Sequence, residues 1–488
     1  MKKTINIMSL IIALFATLAF QGCKSDDVVA SATYLEIYRA DIDAKVTELD
    51  FNLGSAFMLL GVHCDADWDA ECDADWCTIS NHAGYGYVDP NDSTKRQSYL
   101  KLNVSKNMGD PRTARITFTS GNSTAVLVVN QKGAAADPGD TFETAYEFVE
   151  NIHMGYNLGN TLDSDPQIGS YFRPKSHLDY ETAWGQPVTT QEIIDSIAAK
   201  GFNVIRIPVT WFPHMGKTWE CNEVWMNRVQ EVVDYVLNAG CYCILNVQHD
   251  TGARGTRTDG AGWLRADMEE YENGSAEKFK SLWTQIATRF KDYDEKLIFE
   301  AFNEILDKED TWGDPKDKDA YRAITLLEQD FVDAVRATGG NNEFRNLLVN
   351  TYGSGSTQEK LDNFQVPQDK HSNHILASVH SYDPYNFCCD NGEYNVFVWS
   401  SDCEQEINAI AERVNKRFND LGVPYIYGEF GAIDEGKDMG ERIKYAKYAM
   451  SKFKSYETTG LWWMGLLDRK TLKWYEDEIV DALSNNCK

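Results

Sequence analysis

LIFEAFNEIL, residues 297–306, is mostly apolar until it reaches an amide and an acid, Asn303-Glu304. VPYIYGEFG, residues 423–431, repeats the design and delivers Glu429. Short apolar runs of this kind are read as buried strands. Two such strands that each hand a carboxylate to one end point to a shared site, provided that the rest of the chain supplies a fold to bring them together.

Working outward, six more runs of the same kind appear: IHMGYNLGN (152–160), NVIRIPVTW (203–211), CYCILNVQHD (241–250), RNLLVNTYG (345–353), HILASVHSYDP (374–384) and GLWWMGLLD (460–468). Amphipathic stretches separate them, among them TTQEIIDSIAAKG, EVWMNRVQEVVDYVLNAG, AEKFKSLWTQIATRFKDYD and YRAITLLEQDFVDAVRATGG. Several close on Gly, as helix C-termini do. Eight strands alternating with helices predict an α/β fold, a (β/α)8 TIM barrel, whose chemistry sits at the C-terminal strand ends.

Polar residues gather at those ends. The second strand carries Arg206, the third ends in Gln248-His249-Asp250 and the fourth in Asn303-Glu304. The sixth carries His380 and Tyr382, the seventh Glu429 and the eighth Trp462 and Trp463. A single strand-end Glu reads more simply as a salt bridge or helix cap, and a single His as a structural residue. Six sets meeting at one mouth do not. Two carboxylates with His, Tyr, Arg and Trp suit glycoside hydrolysis, in which one carboxyl donates a proton and the other attacks or activates water. Arg206 and Tyr382 are expected to hold Glu429 ionised. Burial and the charge of Glu429 are expected to keep Glu304 protonated, with Asn303 donating to the sugar 2-hydroxyl. The loop DTGARGTRTDGAGW (250–263) with Trp263, and Trp211, Trp312, Tyr385 and Phe387, are candidates to shape the cleft. Each aromatic reads equally well as core.

The chain has 488 residues, 47 Lys and Arg, 75 Asp and Glu, and a net charge of −28. Such a surface repels nucleic acid and anionic lipid and suits a neutral substrate. The 13 Trp, 24 Tyr and 22 Phe are compatible with sugar stacking and with core packing alike. No metal is expected, because nine His are present and two at most reach the site. No cofactor is expected either, and the chain is expected to act as a monomer.

Residues 1–22 read as a signal segment: MKK, then IMSLIIALFATLAF. FQGC follows and resembles a bacterial lipobox, with Cys23 lipidated and Gln21 departing from the usual small residue. KSDD resembles the acidic export tag of Bacteroidetes surface lipoproteins, which implies a cell-surface or outer-membrane location. Eleven cysteines and an exported location permit disulfides whose pairing the sequence leaves open. Residues 23–133 hold short alternating strands such as SYLKLNVS, ARITFTS and TAVLVVNQ, which predict a small all-β sandwich. Its DWCTIS, PRTARITF and VVNQKG motifs resemble the BACON domain, a module either glycan-binding or a spacer. No row of exposed aromatics is legible, which favours the spacer. CDADWDAECDADW, 64–76, reads as a solvated acidic hairpin. Residues 134–140, AAADPGD, read as the linker to a barrel over 141–488.

GYNLGNTLD, AWGQPVTT, GFNVIRIPVTW, FEAFNE, SVHSYDP and YIYGEFG together resemble glycoside hydrolase family 5, most closely its subfamily 4. The resemblance implies a retaining endo-enzyme on a β-1,4-linked glucan (cellulose-type, mixed-linkage or xyloglucan), with Glu304 as acid/base and Glu429 as nucleophile. Arg206, Asn303, His249, His380, Tyr382 and Trp463 match supporting positions, with Trp462 the competing alignment for the last. Gln248 stands where the family usually has His, and Met464 where the subfamily often has an acid. The alternative reading is a non-catalytic surface glycan-binding protein on a barrel scaffold; the presence of both Glu304 and Glu429 speaks against it.

Overall fold

In a computed structural model of the chain, residues 32–487 are described except 52–55, 87–96, 106, 108–110, 132–141, 168–170, 372, 390–391 and 435. The signal segment, Cys23, KSDD and the 134–140 joint therefore lie outside the described residues.

The N-terminal part is two five-stranded sheets. The strand Arg112–Ser120 shows how the sequence builds them. Ala114, Ile116 and Phe118 alternate with polar residues and are fully buried. They meet Leu60, Leu102, Leu127 and Val129 in one core. The acidic repeat at 64–76 departs from the expected hairpin. Trp68–Cys72 is a strand paired with Arg112–Ser120, and Trp68 is 2% exposed in the core. Trp76 lies under the Arg112 guanidinium, 4.3 Å from its ring centroid. Strand alternation satisfies both residue types, since Trp68 and Ala70 face the core while Asp69 and Glu71 stay in solvent.

The remainder is a closed barrel of eight parallel strands. In chain order these are β1 (Gly155–Asn157), β2 (Val204–Ile207), β3 (Tyr242–Asn246), β4 (Leu297–Glu300), β5 (Leu347–Asn350), β6 (Ile375–Ser381), β7 (Tyr425–Phe430) and β8 (Gly460–Trp463). A helix follows each: α1 (Gln191–Ala199), α2 (Glu223–Asn238), α3 (Ala276–Phe290), α4 (Asp319–Ala337), α5 (Gln358–Asn363), α6 (Ser401–Leu421), α7 (Met439–Ser455) and α8 (Asp477–Ser484). Asn222 caps α2 by accepting from the amides of Val224 and Trp225. Gly422, left-handed at φ 66°, ends α6.

Strand periodicity explains how this fold makes a site. Val204, Ile244, Ile298, Leu348, Leu376, Ile426 and Leu461 form one apolar layer inside the barrel. The helix Ala145–Asn151 closes it from below with Ala145, Phe148 and Val149. Two residues further along each strand, on the same inward face, stand Arg206, Asn246, Glu300, Asn350, Ser378, Gly428 and Trp463. The layer above the apolar plug is therefore largely polar and opens toward the C-terminal strand ends. Leu297 and Phe299, the outward residues of β4, pack with the helices instead.

The two parts touch. Arg39 ends the strand Leu35–Arg39 and is 8% exposed. Its Nη1 donates to the Tyr235 hydroxyl of α2 at 3.0 Å, and its guanidinium pairs with Glu231. Glu231 also holds Arg228, 2.5 Å away.

Candidate active site

Arg206 is the hub of the polar layer and is fully buried. Its Nε donates to Glu300 at 2.5 Å and its Nη2 to Asn303 Oδ1 at 2.9 Å. Its Nη1 donates to Asn157 at 3.0 Å and to Glu429 Oε1 at 2.8 Å. Burial opposes the guanidinium charge, and Glu300 and Glu429 more than restore it. Asn157 is held in turn by donating to the carbonyls of Gly428 and Leu461.

Glu429 sits near the end of β7, paired across to His380 of β6 where the register shifts after Val379. Such irregularities re-aim side chains at strand ends. Gly428 allows this close approach, since a Cβ there would lie 3.3 Å from His380 Nε2. Tyr382 donates to Glu429 Oε2 at 2.8 Å. Burial, then the charges of Glu429 and Glu304, push the Tyr382 phenol well above its ordinary value, so it remains a donor.

Glu304 lies beyond the last paired residue of β4, in a segment pinned by the Asn303 amide donating to the Val247 carbonyl at 2.8 Å. Its Oε1 lies 2.8 Å from His380 Nδ1. Burial disfavours the charged form of His380, but Glu429 and the hydrogen bond to Glu304 outweigh it and raise its pKa. One oxygen from each of Glu304 and Glu429 and one nitrogen of His380 lie within 4.8 Å of one another. These atoms have the chemistry of metal ligands, yet Arg206, Tyr382 and the His380–Glu304 bond already engage them. A fixed guanidinium beside them disfavours a cation.

The two carboxyls differ in access. The Glu304 side chain is 21% exposed and that of Glu429 5%. Burial is thus not what distinguishes Glu304, contrary to expectation. It is the more open carboxyl, placed beside His380, because it lies past the strand end where the barrel wall no longer encloses it.

Gln248 is buried, and its Oε1 accepts from Asn246 at 2.6 Å. The His249 Nε2 stands 3.9 Å from Asp163, and its ring meets Trp184 edge-on at 5.4 Å. Desolvation lowers its pKa, so it acts as a neutral ring. Trp463 is half-buried against Gly159, whereas Trp462 is 2% exposed and packs on Phe430. Trp463 is therefore the cleft residue of the pair.

Two of the cleft candidates are core. Trp211 is fully buried and donates to the Asn246 carbonyl, and Phe387 packs against Trp399 and Tyr445. Trp312 and Tyr385 are exposed. Trp263 donates to Asp250, which also accepts from the amides of Trp211 and Phe212 and so anchors the 250–263 loop. Sequence reasoning passed over Asn157, Glu300, Asn350 and Trp184. The signal for Glu300 was present in LIFE: a charge on the inward face of a buried strand demands a partner.

Comparison with known proteins matches this geometry to a family. The model for cellulase, glycosyl hydrolase family 5, matches residues 170–465. The BACON model, a putative N-terminal binding domain, matches residues 66–132. Endoglucanase A of Clostridium longisporum is 35% identical over 71% of this chain and 67% of its own length. Endoglucanase A of Ruminococcus albus is 34% identical over 71% of this chain and 93% of its own. A family 5 enzyme of Prevotella bryantii B14, solved with a xyloglucan tetradecasaccharide, is 39% identical over 71% of this chain and 99% of its own, with a TM-score of 0.65. A Bacteroides ovatus family 5 xyloglucanase, solved with a heptasaccharide, is 25% identical, covers 93% of this chain and 99% of its own, and has a TM-score of 0.62. With Glu304 and Glu429 meeting at the mouth of an eight-stranded barrel and a BACON module ahead of it, the chain belongs to glycoside hydrolase family 5.

Proposed function

We infer that the protein is an endo-acting, retaining β-1,4-glucanase. The observation that carries retention is that one oxygen of Glu304 and one of Glu429 lie within 4.8 Å of each other. Double displacement brings the two carboxyls to about 5–5.5 Å, whereas inversion leaves about 6.5–9.5 Å for a water. Glu429 attacks the anomeric carbon while Glu304 gives its proton to the leaving glycosidic oxygen. Glu304 then takes a proton from water, which releases the sugar from Glu429. Arg206 and Tyr382 aim Glu429, and the Asn303 amide, with its oxygen held by Arg206, is free to donate to a 2-hydroxyl. The test is Glu429→Ala. It should abolish hydrolysis of soluble glucan, and added azide should restore turnover of an activated aryl glycoside with inverted configuration. Near-native hydrolysis by E429A would show that Glu429 is not the nucleophile.

Xyloglucan belongs in the substrate range. A cavity of about 330 Å³ beside Trp463 is lined by Tyr382, Asp434 and Tyr475, which suits a branch sugar. The solved relatives hold xyloglucan fragments. Hydrolysis of xyloglucan and carboxymethylcellulose side by side decides the point. A rate on xyloglucan below a hundredth of that on the linear glucan would exclude branches. We propose also that the protein is anchored in the outer membrane through Cys23, on the strength of the MKK, apolar and FQGC succession. Cys23→Ala should release the protein from the membrane fraction; unchanged retention would refute the anchor.

A further inference from the structure

We propose that Glu300, on the inward face of β4, is a positioning residue that sets the basicity of Glu429 by sharing Arg206 with it. The proposal rests on the reading of Glu429 as nucleophile. Both carboxylates face one guanidinium, Glu300 on Nε at 2.5 Å and Glu429 on Nη1 at 2.8 Å. Among the described residues the only ion pair of Glu300 is with Arg206. Its second oxygen accepts from Asn350 Nδ2 at 3.2 Å, and its side chain is fully buried.

Hydrogen bonding alone does not call for a charge there. A glutamine could accept from Arg206 Nε with its oxygen. Its amide could donate to Asn350 Oδ1, a buried atom without a partner among the described residues, once the Asn350 side chain turned over and its Nδ2 left Glu300 and the Phe302 carbonyl. That arrangement would avoid the several kcal/mol, in order of magnitude, that desolvating a carboxylate costs. What glutamate adds is its negative charge. With Glu300 neutral, Arg206 would compensate Glu429 alone in a dry setting. Attack requires Glu429 to give its charge to a new bond, and a fully paired carboxylate resists that. With Glu300 ionised, two carboxylates divide one cation, and Glu429 keeps part of its charge uncompensated. The other groups facing Glu429 are Tyr382, His380 and Glu304, with His249 and Cys389 coupled through space. None of them contacts Glu300.

The experiment is the pH profile of kcat/KM on a soluble β-glucan for the full chain, E300Q and E300D. In E300Q the acidic limb should move down by about one pH unit, with kcat at the optimum roughly tenfold lower and KM within about twofold. E300D, with its charge drawn back from Nε by about one bond length, should move the limb part of the way. A limb that stays within about 0.2 unit, or moves up, while kcat falls would make Glu300 a structural prop and overturn the proposal. If E300Q does not fold, the E300D limb decides alone by the same criterion. E429A separates the two failures: turnover by that variant sinks the nucleophile, whereas an unmoved limb in E300Q sinks only the role of Glu300.

Discussion

Replacing Tyr382 by Phe removes one hydroxyl and leaves the ring. That hydroxyl donates to Glu429 Oε2 at 2.8 Å, and the Glu429 side chain is 5% exposed, so water cannot easily take its place. A hydrogen bond to a charged group contributes about 1.5–3 kcal/mol, and one pKa unit corresponds to about 1.4 kcal/mol. The bond favours the ionised carboxylate. Without it the ionised Glu429 loses that support, and the acidic limb of kcat/KM should move up by about one to two pH units. Activity at pH 5 should then suffer far more than activity at pH 7. The assay is initial-rate hydrolysis of a soluble β-glucan across pH, with thermal melts to show that Y382F is folded. The direction is the decisive part, because E300Q acts on the same carboxylate with the opposite sign. If the Y382F limb stays in place or moves down, the hydroxyl does not support the charge of Glu429, and the account of this site is wrong.

The two tryptophans of β8 should separate cleanly. Trp462→Ala empties a core position beside Phe430 and should cost about 3–5 kcal/mol of stability in denaturant melts. Trp463→Ala should leave the melt nearly in place and lower kcat/KM; equal losses of stability would refute the division into core and cleft. At the junction of the two parts, Arg39→Glu places a second carboxylate against Glu231. Small-angle scattering should then report a larger radius of gyration with unchanged hydrolysis of short oligosaccharides, and an unchanged radius would show that Arg39 does not hold the sandwich on α2.

The strands were legible because their signal is local. Parallel strands covered on both sides are apolar without interruption, and the stretches between them carry helical periodicity and Gly stops. The carboxylates were legible for the same reason, since Glu304 and Glu429 each follow such a run. The acidic repeat misled because its five aspartates dominate the composition, while the fate of Trp68 depends on a partner strand whose paired residues lie 44 to 50 positions away. Trp211 and Phe387 stayed open between cleft and core for a similar reason: strand-end and loop aromatics face the cleft or the helices according to packing that the local sequence does not encode.

The sequence by itself determined the fold class and the family and singled out the two carboxyls as candidates, because each depends on residue type and spacing along the chain. Only the tertiary structure decided that Glu300 and Asn157 share Arg206 with Glu429 and that His380 stands at Glu304. Arg206 on β2 reaches Glu300 on β4 and Glu429 on β7, residues 94 and 223 positions away. Closure of the barrel turns the second inward residue of every strand toward one axis, and no property of a single strand records what it will meet there.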